Sequence, residues 1–369
     1  MNQDVLNPPT AWGEALFSAI LKQQASDFRV DEILAIDLAG EGDQLYLCIE
    51  KTSMNTDEVV SCLQSAFAVE QVDIGLCGLK DRHSVSRQWF SVKSEKSADV
   101  FEDAIEQFNG TQRQAQSEQS GYCKQMKLIS HARHQRKLRR GAHSGNAFVI
   151  TLRNVCALST SEDLTRLVDE RLHKLIEGGF PAYIGAQRFG HGGQNVQRAQ
   201  QWFAKPRKRT SRTQRSLWLS AARSALFNLA CAARVRDGSW NQLREGEPAV
   251  LDGTRSYFLP GSDTSDQLEA RLASFDIHSS APWWGRGRSP AKGECAAYEQ
   301  PLLDSYADLC AGLEKAGLAC ERRALRAKVG NLRHQWLEKD VFELSFTLAS
   351  GVFATTLLRE LCVATEPAR

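Results

Sequence analysis

Alternating apolar and polar residues predict strands near both ends of the chain. Near the N-terminus the alternation covers residues 27–38 and 44–50, and near the C-terminus it runs from Phe342 to Leu348. Such a period-two pattern turns one face of each strand toward a core. Since the last strand needs a sheet to join, and only the N-terminal part offers one, we expect a discontinuous α+β domain built from both ends.

The middle of the chain has the period of helices. Apolar residues recur at helical spacing over residues 164–176 and 216–233, and we also interpret residues 302–328 as helical. A glycine-rich connector, residues 181–193, follows the first of these helices. It lacks the strand–glycine motif–helix context of a nucleotide-binding loop. The middle is therefore predicted to be a helix-led insertion.

One charged turn lies between two predicted strands. An apolar run, residues 72–77, leads into Gly78, and a second alternating run starts at Val85. Between them Asp81 is flanked by Lys80 and Arg82, and loops held by a rigid scaffold are a usual place for chemistry. The alternative is a solvated hairpin turn with a salt-bridged aspartate.

Positive charge is concentrated in two segments, although the net charge of the 369 residues is only +2. Neither segment contains an acidic residue, so each is either a solvated face or a phosphate-contacting strip. The first segment carries Lys124, Lys127, Arg133, Arg136, Lys137, Arg139 and Arg140, and the second carries Lys205, Arg207, Lys208, Arg209, Arg212 and Arg215.

Composition excludes several classes of protein. A hydrophobic fraction of 42% and a charged fraction of 24% are typical of a globular chain. We find no secretory signal and no apolar run long enough for a membrane span. The ten cysteines stand singly, without the spacing of a zinc site. We expect a cytoplasmic protein without a metal.

Six separated motifs together resemble the TruD family of tRNA pseudouridine synthases, and they occur in that family's order. They are Gly78-Leu79-Lys80-Asp81-Arg82-His83 with Gln88-Trp89, His131-Ala132-Arg133-His134 through Lys137-Leu138-Arg139, Gly145-Asn146-Ala147-Phe148, Gly185-Ala186-Gln187-Arg188-Phe189-Gly190, Trp218-Leu219-Ser220-Ala221-Ala222-Arg223-Ser224-Ala225-Leu226-Phe227-Asn228, and Gly351-Val352-Phe353-Ala354-Thr355.

This resemblance implies a fold and an activity. It implies a mixed-sheet, pseudouridine-synthase-like catalytic domain over residues 1–175 and 328–369, with an α/β TRUD domain inserted over residues 176–327. The family converts uridine to pseudouridine in tRNA, in bacteria at position 13 of the D arm. It uses no cofactor, and we expect tRNA as the partner, without an obligate protein partner, a membrane or a metal.

The resemblance also assigns roles to individual residues. Asp81 falls on the catalytic aspartate. The residues implied to bind the substrate are Asn146, Phe148, Phe353, Lys22 and Glu32, and we add Lys80 and Arg82 because they flank Asp81. Those that we expect to contact the RNA backbone are Arg133, Arg136, Lys137, Arg139, Arg207, Lys208 and Arg209.

The implied reaction suits these residue types. Breaking the glycosidic bond and rejoining the base through carbon requires the base to leave its stack, and an aromatic pocket can hold an extruded base. An ionised carboxylate acts either as nucleophile or as base, and the sequence does not choose between them. Two alternatives remain, a catalytically silent RNA-binding protein of the same fold and a hydrolase or nuclease. The second would want paired carboxylates or metal ligands near Asp81, and none is visible locally.

Overall fold

The computed structural model of the protein describes residues 3–116, 123–159, 163–205, 210–261 and 265–367. Its strands are β1 (Phe17–Leu21), β2 (Phe28–Leu34), β3 (Gln44–Thr52), β4 (Ile74–Leu76), β5 (Val85–Lys93), β6 (Gln125–His134), β7 (His143–Ala157), β8 (Phe180–Pro181), β9 (Ala249–Leu251), β10 (Tyr257–Phe258), β11 (Ile277–His278), β12 (Ser280–Trp283), β13 (Glu321–Ala324), β14 (Arg326–Ala327), β15 (Gly330–Glu338), β16 (Val341–Ala349) and β17 (Cys362–Thr365).

The α-helices lie between these strands along the chain. They are α1 (Thr56–Phe67), α2 (Asp99–Gln116), α3 (Leu164–Gly178), α4 (Gln194–Ala204), α5 (Arg212–Arg236), α6 (Ser265–Ala273), α7 (Gly293–Ser305), α8 (Ala307–Lys315) and α9 (Ala354–Arg359). No α-helix within the described ranges is both long and apolar enough to cross a membrane.

The chain forms two compact units, and the first consists of residues 17–160, 330–351 and 363–369. Its large sheet has the order β15-β16-β7-β2-β5-β3-β6, with β1 and β4 paired to β7 and β5. Only the β2–β5 pair among these is parallel, so the sheet is mixed. The fold-class prediction is confirmed, because β16 joins the N-terminal strands through β7.

One face of this sheet is covered by α1 and α2. Leu45, Leu47 and Ile49 lie at alternate positions of β3 and pack in one core with Leu63 of α1 and Phe101 of α2. Asn55 begins α1 with a capping box that it forms with Glu58. Both ends of α1 are thus fixed, the first by this cap and the last because its C-terminal residue Phe67 is also in the core.

The second compact unit consists of residues 1–16, 161–329 and 352–362. Helix α5 runs through its centre, and thirteen of its residues are buried. Asn228 of this helix accepts a hydrogen bond from Ile184 N at 2.8 Å and donates to Val5 O at 3.2 Å. The helix therefore ties the N-terminal segment to the glycine-rich connector.

The compact units do not follow the domain limits predicted from the sequence. Residues 3–16, 163–175 and 352–362 lie in the catalytic domain predicted from the sequence but belong to the compact unit that holds most of residues 176–327. The contacts are specific, since the Glu360 carboxylate accepts from the amides of Ala11 and Trp12 and the Trp12 indole donates to Gly179 O at 2.8 Å.

The helix predicted over residues 302–328 is wrong in its second half. Helix α8 ends at Lys315, and Gly317 follows with a positive φ of 80°, which glycine adopts without strain. The chain then enters β13 and β14, which pair with β12 and β8. Main-chain pairing with these strands replaces the helical hydrogen bonds that the local pattern favoured.

Candidate active site

The turn that carries Asp81 is anchored to α1 and β5. The Gln88 side chain donates to Gly78 O, and its carbonyl oxygen accepts from the Thr56 hydroxyl at 3.1 Å. The same hydroxyl oxygen accepts from Lys80 N at 3.1 Å. Both Gln88 and Thr56 are buried, so these bonds form a closed network that fixes the chain just before Asp81.

The main chain of Asp81 is held as well. Its carbonyl oxygen accepts from Lys51 Nζ at 2.9 Å and from Ser84 Oγ at 2.8 Å. Burial lowers the pKa of Lys51 to about 8. The position of the Asp81 backbone therefore depends on one charged and one neutral donor from inside the protein.

The Asp81 carboxylate meets one buried cation. Its Oδ2 lies 3.0 Å from Lys22 Nζ, which is also 3.0 Å from Oε1 of Glu366. The Lys22 side chain is buried, and its Nζ lies 4.6 Å from the centre of the Phe28 ring. The backbone of Lys22 has a positive φ of 57°. Half of the Asp81 side chain remains exposed, so the carboxylate is held on one side and accessible to a substrate on the other.

The flanking cations of Asp81 do not act as its ion-pair partners in this arrangement. Lys80 Nζ contacts Oε2 of Glu32 at 2.5 Å, and both side chains are buried. The second oxygen of Glu32 accepts from Trp89 N at 3.1 Å, while Arg82 is exposed. Lys80 and Glu32 thus brace the sheet behind the turn, and their predicted contact with the substrate stays a prediction.

Glu32 also belongs to a group of possible metal ligands. Atoms of Glu32, Cys77 and His143 lie within 4.8 Å of one another. Both oxygens of Glu32 are already used by Lys80 and Trp89. Burial raises the pKa of the Cys77 thiol to about 12, so a metal-binding thiolate is disfavoured. The donor set therefore suits a cation poorly.

Aromatic residues lie near one another on β2, β7 and β16. Phe148 stacks on Phe346 with ring centres 5.3 Å apart, and it meets the edge of Phe28 at 6.1 Å. In the same sheet Asn146 pairs in register with Glu32, and its buried Oδ1 has no hydrogen-bond partner in the described part of the chain. An amide oxygen without a partner is a natural contact for a donor on a bound base.

Phe353 belongs to the other compact unit. It is half-buried at the start of α9 and packs against the core of that unit. A Cβ at Gly185 would come within 3.1 Å of its ring, which explains why the connector has a glycine there. Its predicted role in lining the base pocket stays a prediction.

The predicted RNA-contacting residues fall into three groups. Arg133 donates to the main-chain carbonyls of Ser94 and Lys96, and Lys137 donates to that of Val72. Arg136 and Arg139 are exposed to solvent. The second segment's Arg207, Lys208 and Arg209 lie outside the described residues.

Three residues near Asp81 were missed as candidates from the sequence. Lys51 had a signal, because it is a charged residue at a position where the alternation of β3 predicts an apolar one. Phe28 had a weaker signal, because it is an aromatic residue next to the acidic Asp27 in an alternating segment. Glu366 had none, because 344 positions separate it from Lys22.

Comparison with known proteins gives consistent results. The family model described as tRNA pseudouridine synthase D (TruD) matches residues 11–199 and 193–361. A curated tRNA pseudouridine synthase D of Pseudomonas putida strain W619 is 41% identical over 357 residues, which cover 96% of this chain and 94% of the relative. That of Methylococcus capsulatus is 40% identical over 353 residues, with 96% and 93% covered.

A crystal structure described as a tRNA pseudouridine synthase D from Methanosarcina mazei resembles the fold. Its TM-score is 0.71 at 19% identity, with 97% of this chain and 96% of that chain covered. At this identity the likeness concerns the fold alone. The matches in sequence extend over almost the whole length of this chain and of its relatives, and the chain therefore belongs to the tRNA pseudouridine synthase D (TruD) family.

Proposed function

We propose that this protein isomerises uridine to pseudouridine in tRNA, at position 13 of the D arm, with Asp81 as the catalytic carboxylate. The observation that carries the proposal is the state of Asp81. Its backbone is fixed by Lys51 and Ser84, one carboxylate oxygen contacts Lys22, and half of the side chain is open to solvent. Such a preorganised, accessible carboxylate suits attack on a bound nucleotide.

The chemistry requires a group that remains charged while the base is detached. Lys22 Nζ lies 3.0 Å from Oδ2 of Asp81. Because Lys22 is buried, the attraction between the two charges is screened less than at an open surface. Asp81 acts as the nucleophile, or as the base that leads to a glycal-type intermediate. Substrate and product have the same atoms and oxidation state, so the reaction needs no redox partner.

The extruded uracil needs an apolar surface and a few polar contacts. Phe28 and Phe148 supply rings, and the unpartnered Oδ1 of Asn146 can accept from the N3–H of uracil. Phe353 is part of the proposal as a further pocket aromatic. The proposed roles of Glu32, Lys80 and Arg82 are to support this site and its substrate.

The RNA backbone would be held by the basic residues of both segments. Arg136 and Arg139 are exposed residues of the first segment, so they can release counterions on binding. Since tRNA is a cytoplasmic substrate, the proposal includes a cytoplasmic protein.

The proposal is tested by incubating unmodified tRNA transcripts with the purified protein and mapping pseudouridine at single-nucleotide resolution. We expect one modified position, uridine 13. Modification of another uridine would support the isomerase activity but contradict the assignment to position 13. If tRNA binds and no pseudouridine forms, the protein is the catalytically silent RNA-binding alternative.

A further inference from the structure

Lys51 occupies an unusual place for a charged side chain. In β3 the residues Leu45, Leu47 and Ile49 point into the core beneath α1, and Lys51 continues the same face. Its exposed fraction is 0%. Strand β3 lies between β5 and β6, so Lys51 is flanked on both sides by paired strands. The ammonium group is therefore inside the protein and not at its surface.

Two main-chain carbonyls accept from this ammonium. Lys51 Nζ lies 2.6 Å from Met54 O and 2.9 Å from Asp81 O. The charged groups that face it are Asp81 and Lys80 of the turn and Glu58 of α1. The Glu58 carboxylate is occupied by Lys124 and by the amide of Asn55. Lys51 thus connects the end of β3 to the turn.

Burying an ammonium group is unfavourable, because its charge must be removed from water. Methionine has a similar length and would occupy the same volume without the cost of desolvating a charge. What lysine adds is a charged donor, and a hydrogen bond from a charged group is stronger than one from a neutral group. Ser84 supplies the neutral bond to the same oxygen.

We propose that Lys51 is a positioning residue for Asp81. By holding the Asp81 carbonyl oxygen, it fixes the Cα atom from which the reactive carboxylate projects. This inference rests on the proposed catalytic role of Asp81 and adds to it the group that sets the carboxylate's position. Lys51 has no exposed surface with which to touch RNA, so it acts only through the turn.

The consequence is a specific kinetic defect. A displacement of about 1 Å at a reacting group costs on the order of 100-fold in rate. We expect Lys51→Met to lower kcat for pseudouridine formation by about 10- to 100-fold. The KM for tRNA should change less than about twofold, because the RNA-contacting surface is unaltered. Ser84→Ala removes only the neutral bond and should lower kcat less.

The experiment compares the wild type with Lys51→Met, Lys51→Gln and Ser84→Ala. Lys93→Met is the control, because Lys93 lies on the adjacent strand β5 with an exposed side chain. For each protein, folding is checked by circular dichroism, and kcat, KM and the Kd for tRNA are measured separately. Lys51→Gln is included because it leaves a neutral donor should the methionine variant fail to fold.

A folded Lys51 variant with reduced kcat and unchanged KM and Kd supports the proposal. Wild-type kcat in a folded Lys51 variant overturns it, and so does failure of both Lys51 variants to fold, because the lysine would then serve the fold as a whole. If the wild type itself makes no pseudouridine, the proposed function has failed and this inference falls with it. These outcomes are distinguishable because the wild-type assay is read first.

Discussion

The Nζ atom of Lys22 lies 3.0 Å from Oδ2 of Asp81, although 59 positions separate the two residues in the chain. Lys22 follows the end of β1, and Asp81 lies in the turn between β4 and β5. The pair combines a buried cation with a half-exposed carboxylate. The Asp81 carboxylate is thus held by a cation inside the protein and is still accessible from solvent.

Lys22→Met should reduce pseudouridine formation by about 10- to 100-fold, because the carboxylate loses the cation that orients it and offsets its charge. The free energy of unfolding should change by about 1 kcal/mol or less, since Asp81 and Glu366 are both about half exposed and stay hydrated. Single-turnover rates and urea unfolding measure the two effects.

The matched control for this change is Glu366→Gln. It removes the other carboxylate that shares Lys22 and leaves Asp81 in contact with it. The rate should stay within about twofold of wild type. A loss as large as that of Lys22→Met would mean that Glu366, not Asp81, is the partner that matters.

Glu32 and Lys80 form a buried ion pair, with exposed side-chain fractions of 0% and 8%. Glu32→Gln or Lys80→Met alone should destabilise the protein by about 3–5 kcal/mol, because each leaves an uncompensated buried charge. The double variant should lose less than the sum of the two. Urea unfolding of all four proteins gives the coupling.

A surface pair supplies the comparison for that cycle. Asp43 and Lys93 are 3.5 Å apart and mostly exposed. Asp43→Asn should therefore cost less than about 0.5 kcal/mol. If the losses in unfolding free energy of the Glu32 and Lys80 variants add up in the double variant, the contact between the two side chains contributes nothing to stability.

Lys51 gives stability a pH dependence with a defined sign. Burial lowers its pKa in the folded protein to about 8, whereas an unfolded lysine titrates near 10.4. Between these values the unfolded chain binds more protons, so stability rises with pH in this window, and the full cost of the buried charge is present below about pH 8. The difference in unfolding free energy between wild type and Lys51→Met should change in favour of wild type by at most about 3 kcal/mol from pH 7 to pH 10.5. A flat difference would contradict the lowered pKa.

Arg136 and Arg139 are two exposed cations of the first basic segment. Replacing both with glutamate should weaken tRNA binding and make the plot of log K against log salt shallower by about 2, one for each lost phosphate contact. Lys339→Glu, in the turn between β15 and β16, is the control for charge alone. An unchanged slope in the double variant would remove these arginines from the interface.

The sequence predicted the sheet better than the site. Phe342–Leu348 alternates cleanly, and a strand with one apolar face must join a sheet, so the place of β16 followed from local pattern and burial. The parallel pairing of β2 with β5 did not, because no local property sets a partner across fifty residues. The same holds for the hydrogen bond between Trp12 and Glu360, which lie 348 positions apart.

Asp81 is predicted from its turn and from the resemblance, which also implies Lys22 as a substrate-binding residue, but neither predicts the ion pair between them. The neighbouring cations Lys80 and Arg82 were the obvious candidates by sequence. The structure instead directs Lys80 to Glu32 and brings Lys22 from a distant strand end. Side-chain direction in an irregular turn depends on tertiary contacts, here the network of Thr56 and Gln88, which sequence spacing does not contain.

The most direct measurement is pseudouridine formation in tRNA by Asp81→Asn, with Asp43→Asn as the matched control. The asparagine is nearly isosteric, so Asp81→Asn should fold and bind tRNA with a wild-type Kd, while its single-turnover rate falls by about 1,000-fold or more. Asp43→Asn should retain the wild-type rate. Turnover by Asp81→Asn at a rate near that of wild type would contradict the central claim that Asp81 is the catalytic carboxylate.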